Sequence, residues 1–161
     1  MNILVSMCLL GIPCRYNKTR LKIILPDDFI DTNIHTLIPV CPEQLGGMST
    51  PRSAFEIVTG DGYDVIDKKC RIISIEKNDV TNEVLAGAEL TLKLAKKYNA
   101  VKFIGCSRSP SCSCKKIYNG KFNGTLKNGC GVAAALLECN GIELIDSNDL
   151  FNTIRGKLNE N

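Results

Sequence analysis

The sequence predicts one α/β domain, built around a mainly parallel β-sheet with helices on both faces and a small antiparallel excursion. Short apolar runs of strand length alternate with segments of helical periodicity. This alternation is typical of parallel strands joined by right-handed helical crossovers. The length of 161 residues fits one domain, and no internal repeat, low-complexity tract or linker divides it. We therefore expect a single domain over residues 1–161.

Four apolar runs are the predicted strands of the main sheet. They span residues 2–6, 36–40, 101–105 and 142–146. Runs this short and this apolar, lying between helical stretches, are typical of parallel strands that are buried on both faces. A proline at position 39 is tolerated only near a strand end or at a sheet edge.

Two helices are predicted between these strands. The clearer one spans Asp79–Tyr98, where apolar residues recur at helical spacing and where either Asp79 or Thr81 can cap the start. The second runs from about Gly131 to Asn140 and is expected to end at Gly141, because glycine readily adopts the left-handed conformation that follows many helices.

Smaller elements complete the predicted fold. Phe55–Lys77 alternates around glycine-containing and charged turns, which indicates the antiparallel excursion. Tyr118–Thr125 is rich in Gly and Asn and is typical of a hairpin. A helix is expected to begin near Pro26, because proline fits the first turn of a helix but not its interior. Ser147 can cap a final short helix.

Composition and charge narrow the class of protein. Apolar residues make up 44% of the chain and charged residues 23%, as in ordinary soluble globular proteins. No apolar stretch reaches the roughly 20 residues of a membrane span. The apolar start lacks the basic region and cleavage site of a signal peptide, so we expect a cytoplasmic protein. The net charge of +3, with dispersed Lys and Arg, leaves tRNA possible as a partner without supporting it, and the sequence indicates no oligomeric state.

The nine cysteines of the chain indicate ligation or reactivity rather than disulfides. Disulfides are rare in the reducing compartments where a protein without an export signal stays, and an odd number prevents complete pairing. Cys139 follows an apolar helical run and Cys70 lies in a short strand pattern. We expect both to be small hydrophobic residues of the core.

Three other cysteines follow predicted strands and lie in turn-forming loops. Cys8 follows the first strand, Cys41 the second and Cys112 the third. Loops beyond the carboxyl ends of parallel strands build the ligand site of an open sheet, so these cysteines are expected to meet at one edge. Three thiolates suit Zn, Cu(I) or an iron–sulfur cluster and leave the centre one ligand short. The absence of paired C-x-x-C spacing favours a cluster over a structural zinc site.

Charged and polar neighbours of these cysteines are candidates for catalysis and binding. Glu43, two residues after the second cysteine, is either a general acid/base beside the metal or an exposed loop glutamate. Ser109, three residues before the third, either donates a hydrogen bond to a substrate or fixes the turn. Arginines in the cysteine loops can pair with an anionic cluster, hold an anionic substrate such as a nucleotide phosphate, or form surface ion pairs: Arg15, Arg52 and Arg108.

Several groups of residues share the pattern of a known family. They are Ser6–Gly11 with Cys14–Tyr16, Val40–Gly47 with Thr50–Arg52, Asp79–Thr81 with Gly87 and Ala88, Ser107–Cys112, and Gly129–Val132 leading into Ala135–Leu137. Together they resemble the thiouracil desulfidase family, formerly a domain of unknown function. The resemblance extends from Asn2 to about Asp146, which is nearly the whole chain.

This resemblance implies an activity, a cofactor and a set of site residues. The fold would be a Rossmann-like domain that binds a [4Fe–4S] cluster through Cys8, Cys41 and Cys112. The fourth iron would take the sulfur of a thiolated uracil-type base, nucleoside or nucleotide without net redox change. The catalytic glutamate and serine of the motif fall on Glu43 and Ser109. A soft iron prefers sulfur to oxygen, which agrees with this chemistry.

The chain also departs from the family pattern. Cys106 stands where the family usually has lysine, Ser113 where it has glycine and Cys130 where it has aspartate, and Cys114 is unexpected. A fourth thiolate from Cys106, Cys114 or Cys130 would close the open iron. The alternative function is therefore a metal- or cluster-binding protein with a structural or redox-sensing role. A third possibility is a nucleotide-binding module, suggested by the short glycine signal at residues 129–131.

Overall fold

The computed structural model describes residues 1–21 and 35–152. In chain order, its strands are β1 (Asn2–Ser6), β2 (Thr36–Val40), β3 (Phe55–Ile57), β4 (Ile72–Ser74), β5 (Ala100–Gly105), β6 (Lys116–Tyr118), β7 (Leu126–Asn128) and β8 (Glu143–Asp146), and its helices are α1 (Pro42–Leu45), α2 (Gly62–Ile66), α3 (Thr81–Lys97) and α4 (Val132–Glu138). All four predicted main strands are present. The helix expected near Pro26 lies outside the described residues.

The main sheet has four parallel strands in the order β2-β1-β5-β8. The chain leaves β1 for β2 on one side and later returns to β5 on the other side of β1. The strand order therefore reverses between β1 and β5, and this is the point at which open α/β sheets bind ligands. The predicted mainly parallel α/β fold is confirmed.

Side chains of the central strands alternate between two buried layers. Leu4 and Phe103 face one layer, where they pack with Ala95 of α3 and with Ala134 and Leu137 of α4. Their strand neighbours face the other layer, together with Leu9 and with the helical residues 147–152; its members include Ile3, Val5, Ile104, Leu150 and Phe151. A strand directs successive side chains to opposite faces of the sheet. A strand that is buried on both faces therefore needs apolar residues at consecutive positions, as in the central strands of this sheet.

Helix α3 fills most of the predicted 79–98 segment, and its first turn is fixed by a side chain. The Asp79 carboxylate accepts hydrogen bonds from the Thr81 backbone N–H at 3.0 Å and from its hydroxyl at 2.6 Å. The Thr81 hydroxyl oxygen accepts from the Ile72 backbone N–H at 2.9 Å, which ties the helix start to β4. Of the two predicted caps, Asp79 therefore supports the helix and Thr81 joins it to the small sheet.

Two glycines let the short helix α1 lie directly against α3. A Cβ atom on Gly87 would collide with the carbonyl oxygen of Pro42, and one on Gly46 would collide with the carbonyl oxygen of Glu83. The close approach fixes the position of α1 relative to the sheet. This matters for function because α1 begins directly after Cys41 and carries Glu43 in its first turn.

Two small antiparallel pairs lie outside the main sheet. β3 pairs with β4, as the alternation in this region predicts, and β6 pairs with β7 as a hairpin. The helix α2, which lies between β3 and β4 in the chain, was not predicted. Cys139 is exposed just after α4, so its predicted core position is wrong; Cys70 is buried as expected. None of the helices within residues 1–21 and 35–152 has the length and apolarity that a membrane span requires.

Candidate active site

A cavity of about 490 Å³ opens beyond the carboxyl ends of β1, β2 and β5. It lies at the reversal of strand order, where the sheet topology predicts a ligand site. Every site residue predicted from the sequence lines it: Cys8, Arg15, Cys41, Glu43, Arg108, Ser109 and Cys112. The three cysteine loops therefore meet at one edge of the sheet, as expected.

Two further thiols line the same cavity. Cys14 is buried beside Cys8 and Cys41 in one packed group, because the chain turns at Gly11 and folds back after β1. Cys106 follows β5 directly and packs against both this group and the group that contains Cys112. Sequence reasoning missed Cys14 as a site residue, although its position in a turn-rich loop after a strand was a usable signal.

Two of the unexpected cysteines do not line the cavity. The Cys130 thiol contacts the backbone carbonyl oxygen of Cys114 at 3.1 Å, and the Cys114 thiol contacts that of Cys112 at 3.7 Å. Both side chains lie behind the loop that presents Cys112. Of the three cysteines that depart from the family pattern, only Cys106 lines the cavity.

Four of the five cavity thiols form a chain of hydrogen bonds that links their ionisation, in the order Cys106, Cys8, Cys14 and Cys41. Hydrogen bonds with Cys106 and Cys14 raise the pKa of Cys8, and the hydrogen bond with Cys14 raises the pKa of Cys41; burial adds to both shifts. The same contacts with Cys41 and Cys8 lower the pKa of Cys14. Burial raises the pKa of Cys112 to about 12. Adjacent buried thiols cannot all ionise without a positive group to hold their charge.

Arg52 supplies positive charge at this site. Its side chain is only 5% exposed, it pairs with the Glu43 carboxylate, and its Nη2 donates to the Cys14 carbonyl oxygen at 3.0 Å. Burial lowers the pKa of this guanidinium, while the nearby sulfurs of Cys41, Cys14, Cys112 and Cys8 raise it. Its buried Nε has no hydrogen-bond partner among the described residues. The sequence places Arg52 in the cysteine loops but does not distinguish it from Arg15 and Arg108.

Glu43 is fixed rather than free in a loop. One carboxylate oxygen pairs with Arg52, and the other accepts a hydrogen bond from the Ser111 hydroxyl at 3.1 Å. The carboxylate side chain is 12% exposed and lines the cavity. The interpretation of Glu43 as an exposed loop residue is therefore excluded, and Ser111 is a site residue that sequence reasoning did not single out.

Ser109 shapes the loop that presents Cys112. Its hydroxyl oxygen accepts hydrogen bonds from the backbone N–H groups of Ser111 at 3.2 Å and of Cys112 at 3.0 Å. The loop packs closely against two glycines. A Cβ atom on Gly105 would collide with the Cys112 carbonyl oxygen, and a Cβ atom on Gly131 would collide with the Ser111 backbone. The turn-fixing role that the sequence allowed for Ser109 is present, and the residue also lines the cavity.

The start of α4 supports the same loop. The backbone N–H groups of Val132 and Ala133 donate to the carbonyl oxygens of Pro110 and Ser111, both at 2.9 Å. The first amides of this helix are therefore occupied by the protein's own backbone. The nucleotide-binding interpretation of the glycine signal at residues 129–131 is not supported, because the signal marks a close helix–loop contact.

Two arginines lie at the cavity wall with different surroundings. Arg15 is half-buried and its Nη1 donates to the Thr19 hydroxyl at 2.9 Å. Arg108 is exposed and adopts a left-handed backbone conformation with φ of 68°. Neither forms an ion pair that competes for its charge among the described residues, so both guanidinium groups can receive an anion.

The donor set fits a cluster better than one metal ion. Within the part of the chain that the structure describes, no three His, Cys, Asp or Glu side chains are arranged to hold a single ion. An iron–sulfur cubane takes one thiolate on each iron, so its ligands surround a group instead of converging on a point. Five thiols around one cavity, with a buried guanidinium whose Nε is unpaired, fit such an anionic group.

Comparison with known proteins identifies relatives of this chain. A solved structure described as “[4Fe-4S]-dependent thiouracil desulfidase TudS” matches with a TM-score of 0.81 and 32% identity, covering 98% of each chain. The protein YbbK of Bacillus subtilis (strain 168), described as uncharacterized, is 43% identical over 148 residues, which cover 92% of this chain and 97% of YbbK. The family model for 2-thiouracil desulfurase matches residues 3–149. The chain therefore belongs to the 2-thiouracil desulfurase family.

Proposed function

We propose that this protein is a [4Fe–4S]-dependent desulfidase that converts C=S to C=O in a thiolated uracil-type base, nucleoside or nucleotide. Water supplies the oxygen and the sulfur leaves as hydrosulfide or H₂S, so the reaction needs no oxidant or reductant. The observation that carries the proposal is the meeting of Cys8, Cys41 and Cys112 with Glu43 in one cavity. Family membership and the resemblance to the desulfidase structure support it.

Cys8, Cys41 and Cys112 would hold the cluster. Each follows a different strand of the parallel sheet, and each thiol is buried at the cavity. Arg52 would balance the negative charge of the thiolates, since its guanidinium lies beside all three sulfurs. When bound, the cluster would supply a soft Lewis acid that prefers the thiocarbonyl sulfur to oxygen.

Glu43 is proposed to move protons during the replacement of sulfur by oxygen. Attack of water on the ring carbon releases protons, which must reach the ring nitrogen or the departing sulfur. Arg52 and Ser111 fix both carboxylate oxygens at the cavity, so this group is oriented before substrate binds. A positioned carboxylate typically contributes a factor of roughly 10²–10⁴ to such transfers.

The remaining predicted residues would position the reactants. Ser109 holds the Cys112 loop through two backbone hydrogen bonds, and we propose that its hydroxyl hydrogen is directed to the sulfur of Cys112 or of the substrate. Arg15 and Arg108 would hold an anionic part of the substrate, such as a phosphate, at the cavity wall.

The proposal is tested by anaerobic turnover. Protein reconstituted with iron and sulfide is offered thiouracil, its nucleoside and its nucleotide, and the loss of thiocarbonyl absorbance is followed together with sulfide release. Equal release of sulfide and loss of thiocarbonyl, absent after the iron is removed with a chelator, is the expected result. No turnover of any of the three substrates by fully loaded protein would contradict it.

A second candidate function rests on the two additional thiols of the cavity. Cys14 and Cys106 give the site five thiols where three ligands leave an open iron. A protein that uses the cluster as a structural or redox-sensing group has no need for an open iron. Such a protein would load iron fully and yet release no sulfide in the assay above.

A further inference from the structure

Cys106 holds a position that differs from that of every other cysteine in the described chain. It directly follows Gly105 at the end of β5, the strand that neighbours β1 across the reversal of strand order. Its backbone N–H donates to the Ser6 hydroxyl at 3.1 Å, and Ser6 is the last residue of β1, two positions before Cys8. The backbone of Cys106 is thereby fixed against the loop that carries Cys8.

The Cys106 side chain joins the two groups of cavity thiols. It packs against the group that contains Cys8, Cys14 and Cys41, and also against the group that contains Cys112. It therefore packs against the hydrophobic clusters to which all three proposed cluster ligands belong. The side chain is half-buried and lines the cavity.

Cys14, the other additional thiol, has a different environment. It packs only within the group of Cys8 and Cys41 and is 3% exposed. Its carbonyl oxygen accepts a hydrogen bond from Arg52 at 3.0 Å, and the Cys41 thiol contacts the same oxygen at 3.9 Å. These contacts hold Cys14 within the group of Cys8 and Cys41, whereas Cys106 packs against both this group and the group of Cys112.

We propose that Cys106 supplies a fourth, displaceable thiolate to the iron that Cys8, Cys41 and Cys112 leave without a protein ligand. The proposal rests on the proposed cluster but not on turnover. Binding of an external sulfur ligand would then break one iron–sulfur bond to Cys106 and form one to the incoming ligand. The released Cys106 thiolate takes up a proton, and no electron is transferred.

Such a cap would lower the apparent affinity of the iron for other sulfur ligands. If Cys106 occupies the iron in about nine molecules of ten, only one tenth is competent to bind, and the apparent dissociation constant rises about tenfold. The cap would also protect the iron while no substrate is present. Substrate binding would then include displacement of a protein thiolate.

The test is an anaerobic hydrosulfide titration of the cluster-loaded protein, followed by its absorption and by EPR of the reduced cluster. Four proteins are compared: wild type, Cys106→Ala, Cys14→Ala and Cys114→Ala. The last is a matched control, because its thiol lies two residues from Cys112 but outside the cavity. Cys106→Ala is expected to respond at a hydrosulfide concentration about tenfold lower than the other three, with iron content unchanged.

Several results would overturn the proposal. One is that wild type and Cys106→Ala respond at the same hydrosulfide concentration. Another is that Cys14→Ala, and not Cys106→Ala, responds at the lower hydrosulfide concentration. Failure of Cys106→Ala to retain iron, in a protein that remains folded by circular dichroism, would make Cys106 an obligatory ligand rather than a cap. Because no thionucleobase is used, these outcomes are independent of whether the protein catalyses desulfidation.

Discussion

Four of the five cysteines inside the cavity differ from the buried or half-buried cysteines outside it in the charges around them. The Arg52 guanidinium lies beside the sulfurs of Cys8, Cys14, Cys41 and Cys112. The outer thiols have carboxylates as neighbours instead: burial and the nearby Asp146 raise the pKa of Cys114 to about 12, and burial and Asp61 raise the pKa of Cys130. Hydrogen bonds with Cys41 and Cys8, together with Arg52, lower the pKa of Cys14, while burial keeps the pKa of Cys112 raised in spite of the nearby cation. A nearby cation favours the thiolate that a metal requires, and a nearby anion disfavours it.

Burial alone therefore does not identify a ligand cysteine. Cys70 is 9% exposed, close to the 7% of Cys8 and Cys41, yet its thiol contacts the Asp61 carbonyl oxygen at 3.8 Å and lies near the Asp64 carboxylate. The strand ends and the buried guanidinium together set the inner group apart. Mutations that act on one group only can therefore separate ligation from packing.

The largest expected effect is loss of iron from the inner group. Cys8→Ser, Cys41→Ser and Cys112→Ser should each reduce bound iron from about four per chain to less than about one, because a set of three ligands has no spare member. Iron and acid-labile sulfide analysis after anaerobic reconstitution measures this. Cys130→Ser is the matched outer control and should keep its iron; full occupancy in an inner variant would remove that residue from the ligand set.

The next largest effect concerns Glu43. Glu43→Gln keeps the shape and a hydrogen-bond acceptor for Ser111 but removes the proton-transfer group, so we expect turnover to fall by roughly 10²–10⁴ with the cluster retained. Steady-state sulfide release, normalised to iron content, is the measurement. Glu56→Gln is a useful comparison, because Glu56 also lines the cavity but accepts only backbone hydrogen bonds, from Gly120 and Phe122. Wild-type turnover in Glu43→Gln would exclude the acid/base role.

Removal of the inner cation should destabilise the protein itself. Arg52→Met leaves the Glu43 carboxylate buried without its partner, and breaking such a pair destabilises by about 3–5 kcal/mol. Lys115→Met breaks the pair with Asp149. The Lys115 and Asp149 side chains are 61% and 49% exposed, so solvent screens this pair and its loss should change stability far less. Urea unfolding of the iron-free proteins compares the two. Equal effects would contradict the assignment of Arg52 as the buried counter-charge.

The smallest expected effect is that of Ser109→Ala. Two backbone N–H groups in the Cys112 loop lose their acceptor, which we expect to lower stability by about 1–3 kcal/mol. Turnover should fall less than in Glu43→Gln, since the carboxylate remains. A fall as large as that of Glu43→Gln at full iron content would assign Ser109 a direct part in proton transfer.

The main sheet, α3 and the hairpins could be predicted because their patterns are local. The cavity could be predicted because the carboxyl ends of parallel strands share one edge, which brought together Cys8, Cys41 and Cys112. The partners of Glu43 could not be predicted from the sequence, because Arg52 and Ser111 lie 9 and 68 residues away from it in the chain, in other loops. Cys139 was misplaced because its helix ends at Glu138, two residues before the predicted end at Asn140, and the residue is exposed.

The most direct test of the account is the iron content of a variant that lacks all four outer cysteines. The protein with Cys70, Cys114, Cys130 and Cys139 replaced by alanine is reconstituted anaerobically and analysed for iron and sulfide and by Mössbauer spectroscopy. If the inner thiols hold the cluster, this variant binds about four irons per chain and gives the spectrum of a [4Fe–4S] cluster, as in wild type. A folded variant that binds no iron would contradict the assignment of the cluster to the inner thiols.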